Sequence, residues 1–507
     1  MTNKTGLTIG VVGAGTMGRG IAQLFVQAGH VVLCHDAELP AAVKAVDAVN
    51  AMLAKMAEKG KLSGGDLASA RARLSVAGSL QDLSPCDLVV EAIVEDLAVK
   101  RGLFQQLESI VSDECVLASN TSSLTVSDIA AACRRPGRVA GLHFFNPVPL
   151  MRVAEVIAAV RTSPDVVVLL KNLIEGTGHR AVVTADQPGF LVNHAGRGLY
   201  TEGLRLIEEC VADAAQVDTV LREAAGFRMG PFELLDLTGL DVSGRVMTSI
   251  YDQFHQEPRF RPSSLVAPRV AAGLLGRKSG EGWYAYEGDA KKVSPAVAVP
   301  RMRGDLMVWV DPEAPEQAAL CEHIVRSGGK LTESSTRQEA LLLIQPLGLD
   351  ATTVCAQKGL DASRCVAIDP LPGLTRHRTL MLTVATSADM RDAAHALFAA
   401  DGVGVTVIND SPGFIVQRVL ATIVNIASNI AQRGIASVSD LEDAVRLGLG
   451  YPKGPLQWGD ELGSTRVLAV LRNMLESTGD PRYRPSQWLA RRVALGLPLT
   501  TPEAARS

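Results

Sequence analysis

The N-terminal part of the chain alternates between short apolar runs and longer amphipathic runs. Four apolar runs have the length and the β-branched content of buried strands, at residues 7–12, 31–35, 87–93 and 115–118. Two amphipathic runs have a helical period, at residues 15–28 and 40–59. Alternating strands and helices predict a doubly wound parallel sheet of the Rossmann type. After Pro188 the pattern becomes helical, beginning with an amphipathic run over residues 191–212.

The chain contains the same unit twice. Residues 186–190 (Asp-Gln-Pro-Gly-Phe) return as residues 410–414 (Asp-Ser-Pro-Gly-Phe), and residues 258–262 return as residues 481–485. Matches at a nearly constant offset of 224 or 223 residues indicate a tandem duplication. The predicted fold class is therefore an α/β Rossmann-type doubly wound sheet followed by an all-α domain, tandemly duplicated.

A glycine-rich loop joins the first predicted strand to the first helix. Its glycines have the spacing Gly-x-Gly-x-x-Gly, and Asp36 closes the second strand about 20 residues later. Such a loop turns tightly, lets a pyrophosphate approach the backbone and packs the helix closely on the strand. The carboxylate would bind ribose hydroxyls and repel a 2′-phosphate, so the expected cofactor is NAD. The predicted ligands are Gly13, Gly15, Thr16, Met17, Gly18 and Asp36.

Composition narrows the class of protein further. The 507 residues carry a net charge of −4, which gives no indication of nucleic-acid binding. No run approaches the roughly 18 apolar residues of a membrane span, and the N-terminus lacks a signal-peptide core, so a cytoplasmic location is expected. The eight scattered cysteines favour reduced, buried thiols over disulfides or a metal site.

Three polar segments look like groups brought to the carboxyl ends of strands, where ligands bind in open α/β sheets. They are Glu-Ala-Ile-Val-Glu at residues 91–95, Ser-Asn-Thr-Ser-Ser at 119–123 and His-Phe-Phe-Asn-Pro at 143–147. Together with the glycine-rich loop and Asp-x-Pro-Gly-Phe-x-Val-Asn at 186–193, they resemble the short-chain L-3-hydroxyacyl-CoA dehydrogenase family. The doubled length resembles its two-copy bacterial members, some of which act on 3-hydroxyadipyl-CoA in phenylacetate breakdown.

The resemblance implies reversible oxidation of a 3-hydroxyacyl-CoA thioester to the 3-oxoacyl-CoA with NAD. It implies that His143 is the base, because a neutral imidazole suits proton abstraction near pH 7. Glu155 would hold the other ring nitrogen and stabilise the imidazolium. Ser122 would hydrogen-bond the reacting oxygen, and Asn193 would help to place the substrate.

The resemblance also assigns ligands outside the glycine-rich loop. Lys59, with Ser122, would lie near the CoA part of the substrate. Further residues would contact the cofactor, and these are Glu95, Lys100, Asn146 and Lys278. Taken alone, Glu95 is also explained as an acid at a helix start, Ser122 as a helix cap and Lys278 as a solvated charge.

Two departures from the family pattern lie on the helix that enters the helical part. His194 stands where an arginine usually follows the asparagine, and Leu199-Tyr200 stands where Pro-Tyr is expected. Both leave the shape of the substrate pocket open. A dicarboxylic acyl chain would need a cation at its far end. Arg152 and Arg197 are candidates for that cation, although a surface salt bridge would explain either.

The second copy has lost these motifs. Residues 307–316, at the place of a glycine-rich loop, contain acids and prolines, and residues 366–370 read Val-Ala-Ile-Asp-Pro. The repeat offset places Thr379 at Glu155 and Gln417 at Asn193. We therefore expect neither catalysis nor a dinucleotide site in this copy. In one-copy members of the family the helical domain mediates dimerisation, so a pseudo-dimer within the chain is expected, with a homo-oligomer still open.

These patterns divide the chain into four predicted parts. They are an NAD-binding domain (1–186), a helical substrate and dimerisation domain (187–287), a linker with a degenerate α/β domain (288–409) and a second helical domain (410–507). Three other functions stay open from the sequence. One is a 3-hydroxybutyryl-CoA dehydrogenase working reductively, and another is a non-catalytic dinucleotide-binding scaffold. The third is a β-hydroxyacid dehydrogenase with a catalytic lysine, against which the His-Phe-Phe-Asn-Pro motif counts.

Overall fold

The computed structural model describes residues 6–288, 290–292 and 298–504. The chain divides into two compact units. Unit 1 comprises Met1–His194 and Arg433–Leu449, and unit 2 comprises Ala195–Gln432 and Gly450–Ser507. The linker predicted at the start of 288–409 lies partly outside the described residues, at 289 and 293–297. Over the described ranges, no helix is both long and apolar enough to cross a membrane.

The strands belong to two large sheets and a short two-stranded one. The first sheet contains β1 (Thr8–Val12), β2 (Val31–His35), β3 (Leu74–Val76), β4 (Leu88–Glu91), β5 (Val116–Ser119), β6 (Val139–Phe144), β7 (Val153–Ala158) and β8 (Arg180–Ala185). The short sheet contains β9 (Tyr286–Glu287) and β10 (Ala290–Lys291). The second large sheet contains β11 (Met307–Val310), β12 (Lys330–Leu331), β13 (Leu341–Ile344), β14 (Cys365–Ile368), β15 (Arg378–Leu382) and β16 (Val405–Ile408).

The helices are divided between the two copies. The first copy contains α1 (Thr16–Gln27), α2 (Leu39–Glu58), α3 (Gly64–Ala72), α4 (Leu97–Ile110), α5 (Val126–Ala130), α6 (Pro164–Gly176), α7 (Val192–Ala195), α8 (Arg197–Glu208), α9 (Ala214–Val220), α10 (Pro231–Thr238), α11 (Leu240–Gln253) and α12 (Val266–Ala271). The second contains α13 (Gln317–Arg326), α14 (Ala351–Gln357), α15 (Ala388–Ala399), α16 (Ile415–Gln432), α17 (Val438–Gly448), α18 (Pro455–Leu462), α19 (Ser464–Thr478) and α20 (Gln487–Leu495).

Unit 1 confirms the predicted doubly wound sheet. Its strand order is β3-β2-β1-β4-β5-β6-β7-β8, and all neighbours are parallel except the antiparallel pair β6 and β7. The central strands β4, β5 and β6 are buried along their whole length, as expected of strands covered by helices on both faces. The run predicted at 87–93 is shorter in the structure, because the Ile93 amide turns back to the Glu91 carboxylate, 2.7 Å away.

The amphipathic run predicted at 191–212 is two helices, α7 and α8, rather than one. Gly196 separates them, and Gly198 follows in the first turn of α8. Glycine is a poor helix former, so two in close succession weaken a continuous helix. The break matters because the amides of Leu191 and Val192, at the start of α7, take part in the site of copy one.

Unit 2 contains the second sheet and helices from both copies. The sheet order is β12-β11-β13-β14-β15-β16. Helix α16 is buried on nearly every side, which is the pattern of a central helix. Helix α8 packs along α16, and a side chain at Gly198 would lie only 3.2 Å from Ile423. The helical parts of copy one (residues 1–287) and copy two (residues 288–507) therefore share one core.

Each sheet also receives a helical segment of the other copy at its last strand. In unit 1, the Ala185 amide beside β8 donates to the Ile435 carbonyl at 2.8 Å, and α17 packs on β8. In unit 2, the Asn409 amide beside β16 donates to the Val211 carbonyl at 3.0 Å. Residues 409 and 435 are the repeat equivalents of 185 and 211, so the two exchanges are reciprocal.

Candidate active site

The glycine-rich loop has the close approaches that its spacing predicts. Gly13 adopts φ +104°, and a Cβ there would lie 2.5 Å from the Ala92 carbonyl oxygen. A Cβ at Gly18 would lie 1.8 Å from the Gly13 carbonyl oxygen. Neither position has room for a side chain, so the turn and the seat of α1 on the loop both depend on glycine.

Gly15 is different, because no atom lies within 4 Å of the Cβ that a substitution would add. It stands at the N-cap of α1, whose first turn contains Thr16 and Met17 and no acid. A helix N-terminus with open space in front of it suits a pyrophosphate. Asp36 accepts a hydrogen bond from the Ala14 amide at 2.7 Å, which ties the end of β2 to the loop. The residues present therefore fit a dinucleotide.

A buried ion pair lies beside this loop, at the end of β4. The Lys100 ammonium is 2.5 Å from Glu91 Oε1 and 3.3 Å from Glu95 Oε2. Lys100 and Glu91 are almost completely buried, and Glu91 Oε2 accepts from the Ser119 hydroxyl at 2.7 Å. The sequence placed Glu91 in a polar segment without assigning it a role, although an acid at the end of the otherwise apolar strand β4 was the available signal.

Glu95 connects that ion pair to the loop that contains Ser122. Its Oε1 accepts from the Thr121 hydroxyl at 2.6 Å and from the amides of Ser122 and Ser123 at 3.0 and 2.9 Å. Burial alone would raise the pKa of Glu95. The hydrogen bonds from Thr121 and Ser123 and the Lys100 charge outweigh burial and lower that pKa. Glu95 is therefore an anchor of the Ser122 loop and not an ordinary acid at a helix start.

Replacing Lys100 with Met is expected to lower the free energy of unfolding by about 3 kcal/mol, because Glu91 is left buried without its counter-charge. The loss is measured by urea unfolding of the full chain. Lys44→Met, an exposed lysine on α2, is the matched control and should leave stability unchanged. Equal stability of the two variants would contradict a structural role of the Lys100 ion pair.

His143 and Glu155 meet across the antiparallel pair of strands β6 and β7, where they are direct partners. The distance from His143 Nδ1 to Glu155 Oε2 is 2.5 Å, and both side chains are buried. Glu155 Oε1 accepts from the amides of Leu191 and Val192 at 2.9 and 2.8 Å. An ionised carboxylate can only accept, so the shared hydrogen is on Nδ1 and Nε2 is left as the basic nitrogen.

Aromatic rings hold the imidazole in place. The ring centroids of Phe145 and Phe190 lie 4.6 and 5.8 Å from that of His143. Phe190 is buried at φ +50°, a region that non-glycine residues rarely adopt. Asn120 also supports the strand, because its side-chain oxygen accepts from the Phe144 amide at 2.9 Å. The motifs contained Phe190 and Asn120, but only the fold reveals what they contact.

The structure also locates the remaining predicted ligands. Asn193 lies half-buried on α7, and Asn146 is exposed just after β6. Lys59 is exposed at the C-terminal end of α2. Lys278 belongs to unit 2, where its ammonium pairs with Asp241. Their assigned contacts with cofactor and CoA stay predictions.

Copy two has a different strand at the place of the strand that contains Glu91 in copy one. Asp410 caps the start of α14 as Asp186 caps α5, so β13 corresponds to β5. Within the described residues 298–409, β11 pairs in parallel with β13, as β4 pairs with β5. The four residues of β11 are all apolar, whereas β4 ends in Glu91.

The crevice of copy two also lacks the base. Thr379 stands at the place of Glu155, and the strand register puts Asp369 opposite it, rather than the Val366 that the alignment of residues 143–147 with 366–370 places at His143. Asp369 accepts from Gln417 at 2.9 Å. Burial raises the pKa of Asp369 to about 7. An acid, an amide and a hydroxyl, all buried, replace the imidazole and its carboxylate.

Family models match most of the chain. Residues 8–187 match the model described as 3-hydroxyacyl-CoA dehydrogenase, NAD binding domain. Residues 189–286 and again residues 413–502 match the model described as 3-hydroxyacyl-CoA dehydrogenase, C-terminal domain. The second match to the C-terminal model is the duplication that the repeats indicate.

Individual relatives extend these matches to the full length. The 3-hydroxyadipyl-CoA dehydrogenase of Escherichia coli (strain K12) is 37% identical over 492 residues, which are 96% of this chain and 98% of its own. A probable 3-hydroxybutyryl-CoA dehydrogenase of Deinococcus radiodurans is 39% identical over 55% of this chain and 100% of its own. The crystal structure of 3-hydroxybutyryl-CoA dehydrogenase from Escherichia coli K12 matches with a TM-score of 0.84 and 35% identity, over 97% of this chain and 99% of that one. The chain therefore belongs to the family of NAD-dependent 3-hydroxyacyl-CoA dehydrogenases.

Proposed function

We propose that copy one oxidises the 3-hydroxyl group of an acyl-CoA with His143 as the base and Glu155 as its support. The observation that carries this assignment is the buried 2.5 Å contact between His143 Nδ1 and Glu155 Oε2. In this role, Nε2 takes the proton of the substrate hydroxyl, and Glu155 stabilises the imidazolium that forms. Ser122 is proposed to hydrogen-bond the reacting oxygen, and Asn193 is proposed to help place the substrate.

The residues that bind the cofactor are likewise a proposal. Gly15, Thr16 and Met17 would hold the pyrophosphate through backbone amides, and Asp36 would accept from the ribose hydroxyls. When bound, NAD supplies a nicotinamide ring that accepts a hydride from the carbinol carbon. Glu95, Lys100, Asn146 and Lys278 would complete the cofactor site, with Lys100 acting through Glu95 because it is buried behind that side chain.

The acyl group is proposed to carry a distal carboxylate. The proposal is supported by the 3-hydroxyadipyl-CoA dehydrogenase, which is similar over nearly the whole length of this chain. The alternative is 3-hydroxybutyryl-CoA, in the reductive direction, which the names of other relatives favour. A role in acyl-CoA or phenylacetate catabolism would follow from the first substrate.

A matched pair of substrates tests the acyl group. The L-3-hydroxy forms of adipyl-CoA and hexanoyl-CoA have the same chain length and differ only in the terminal carboxylate. We expect kcat/KM, followed by NADH absorbance, to be at least about tenfold higher for 3-hydroxyadipyl-CoA, the effect of one charge-assisted contact. A higher value for 3-hydroxybutyryl-CoA than for both would select the alternative, and no turnover of any thioester would leave only a dinucleotide-binding scaffold.

The same pair of substrates assigns the cation. Arg152 is exposed, whereas Arg197 is only 5% exposed and lies over the Tyr200 ring at 5.1 Å. The surface salt bridge considered from the sequence therefore does not explain Arg197. Arg152→Gln and Arg197→Gln are compared on both substrates, and the cation is the residue whose loss removes the preference for the dicarboxylic chain.

We also propose that the helical parts of the two copies form a pseudo-dimer within the chain. The support is the packing of α8 along α16 in one core and the reciprocal exchange of segments at β8 and β16. Copy two would then serve assembly and not catalysis. A cytoplasmic location is proposed as well, because the cysteines are free thiols and most of them are buried.

A further inference from the structure

A buried charge cluster joins the two copies inside unit 2. Arg418 Nε of copy two donates to Glu202 Oε1 of copy one at 2.7 Å. The Tyr483 hydroxyl of copy two donates to the same oxygen at 2.9 Å. Glu202 is completely buried, and the side chain of Arg418 is 2% exposed. A charge at this depth is tolerated only when it is paired and hydrogen-bonded.

A second acid of copy one completes the cluster. Arg418 Nη1 donates to Glu209 Oε2 at 2.7 Å and to the Ser411 hydroxyl at 2.9 Å. Burial alone would lower the pKa of Arg418, but the two carboxylates raise it above its ordinary value. The guanidinium is therefore charged, and it is held mainly by the acids of the other copy.

Unit 1 contains a second charged contact between the copies. Arg180, at the start of β8, belongs to copy one. Its Nη2 donates to Asp440 at 2.6 Å and its Nε to Asp443 at 2.9 Å, both on α17 of copy two. All three side chains are partly buried. Like the cluster in unit 2, this contact joins a residue of one copy to residues of the other.

Neither charged contact has a repeat-related counterpart in the sequence. The equivalents of Glu202, Glu209, Arg418 and Tyr483 are Ile426, Arg433, His194 and Phe260. The equivalents of Arg180, Asp440 and Asp443 are Gly404, Gln216 and Thr219. By contrast, the backbone contacts at Ala185 and Asn409 are reciprocal. The backbone contacts of the interface are therefore symmetric, as in a dimer of identical copies. Each charged contact, by contrast, occurs once and is not repeated at the symmetry-related position.

We propose that these two charged contacts make copy one and copy two an exclusive pair, so that neither copy associates with another of its own kind. The proposal rests on the pseudo-dimer proposed above. It identifies the partner of each copy as the other copy of the same chain. A symmetric dimer requires every contact to be self-complementary. Specificity arises when the wrong partner leaves charges unpaired.

The wrong pairings fail for definite reasons. In a pair of two copies one, Glu202 and Glu209 would meet a histidine and a phenylalanine instead of the Arg418 guanidinium and the Tyr483 hydroxyl. Glu202 would keep only Arg259, the repeat equivalent of the Arg482 that lies 3.7 Å from its Oε2. In a pair of two copies two, Arg418 would meet Ile426 and Arg433, which leaves a buried charge unpaired beside a like charge. Removing one partner of a buried ion pair is strongly destabilising, and in each wrong pair both copies would lose the contact between Arg418 and Glu202.

The test cuts the full chain after it has folded. A specific protease site is placed in residues 298–303, which form neither helix nor strand and include the 58% exposed Val299. Native mass spectrometry of the cut protein then counts the two halves in each complex. We expect only complexes with one half of each kind. Cut Arg418→Gln protein should show a dissociation constant raised by about 10²-fold or more, with like pairs appearing.

Two further variants separate selection from a failure to fold. Tyr483→Phe installs the residue type of Phe260, removes only the hydroxyl, and should raise the dissociation constant about tenfold. Arg391→Gln makes the same exchange as Arg418→Gln on the surface of copy two, where Arg391 pairs with Asp392, and should change nothing.

Three outcomes would overturn the inference. Like pairs from the cut wild-type chain would refute exclusive pairing while leaving the pseudo-dimer intact. Unchanged dissociation constants in both Arg418→Gln and Tyr483→Phe would show that the cluster does not select the partner. Complete separation of the wild-type halves would refute the pseudo-dimer itself, and the exclusive pair with it.

Discussion

Replacing His143 with Gln is expected to lower kcat for 3-hydroxyacyl-CoA oxidation by about 10³-fold, within the range for the loss of a general base. Glutamine is similar in size to the imidazole and can still donate to Glu155 Oε2, which His143 contacts at 2.5 Å. It has no basic nitrogen to take the hydroxyl proton. The affinity for NADH should stay within about threefold of the wild type, because His143 lies outside the glycine-rich loop and Asp36. The measurements are kcat from NADH absorbance and the dissociation constant from NADH fluorescence.

A second buried histidine of unit 1 is the matched control. His179 Nε2 contacts the Val148 carbonyl at 2.9 Å and has no place in the proposed chemistry. His179→Gln should therefore keep kcat within a few-fold of the wild type, even if stability falls. A kcat for His143→Gln equal to that of His179→Gln would contradict the assignment of the base.

The elements that the sequence predicted are those whose signals lie close together along the chain. The glycine-rich loop, strands β1 and β2 and helices α1 and α2 are visible because periodicity, turn glycines and the closing Asp36 lie close together in sequence. The pairing of His143 with Glu155 was expected only through the family resemblance. Its physical basis is the antiparallel register of β6 and β7, which makes residues twelve apart direct neighbours. That register is a tertiary feature and is not encoded in any short motif.

The burial of individual side chains and the residues that they contact could not be predicted from the sequence, for the same reason. Lys100 was expected at the cofactor surface, but helix α4 turns it inward to the Glu91 carboxylate that ends β4. No sequence pattern distinguishes that lysine from a solvated one before the strand and helix are packed. The exchange of segments between copies was likewise invisible, since it depends on contacts between residues separated by about half the chain, such as Ala185 and Ile435.

The two copies have diverged in complementary directions. Copy one keeps the imidazole and its carboxylate, while copy two has Asp369 and Thr379 at these positions. Copy two keeps the arginine that usually follows the motif asparagine, as Arg418, whereas copy one has His194 there. The side chains proposed to act in catalysis are thus retained in one copy and the buried interface cation in the other. This division is expected when both copies are held in one chain and only their combination is under selection.

Replacing Glu155 with Gln is expected to lower kcat by about 10³- to 10⁴-fold, although the side chain keeps its size. Glu155 accepts three hydrogen bonds, from His143 and from the amides of Leu191 and Val192. A glutamine has one acceptor oxygen and one donor group. If its oxygen serves the amides, its NH₂ faces His143 Nδ1 and moves the ring hydrogen to Nε2, which can then no longer take a proton.

The other orientation of the glutamine does not restore the site, because its NH₂ would then face the two backbone amides and leave them buried without an acceptor, which costs stability. Urea unfolding measures that cost separately from kcat. In the double variant with His143→Gln, the rate should fall little below that of either single variant, because the two side chains act as one unit. Thr379→Val, at the equivalent position of copy two, is the control and should leave kcat unchanged. Losses that multiply in the double variant would mean that Glu155 acts on the substrate or the fold independently of His143, and the carboxylate-supported base would then have to be abandoned.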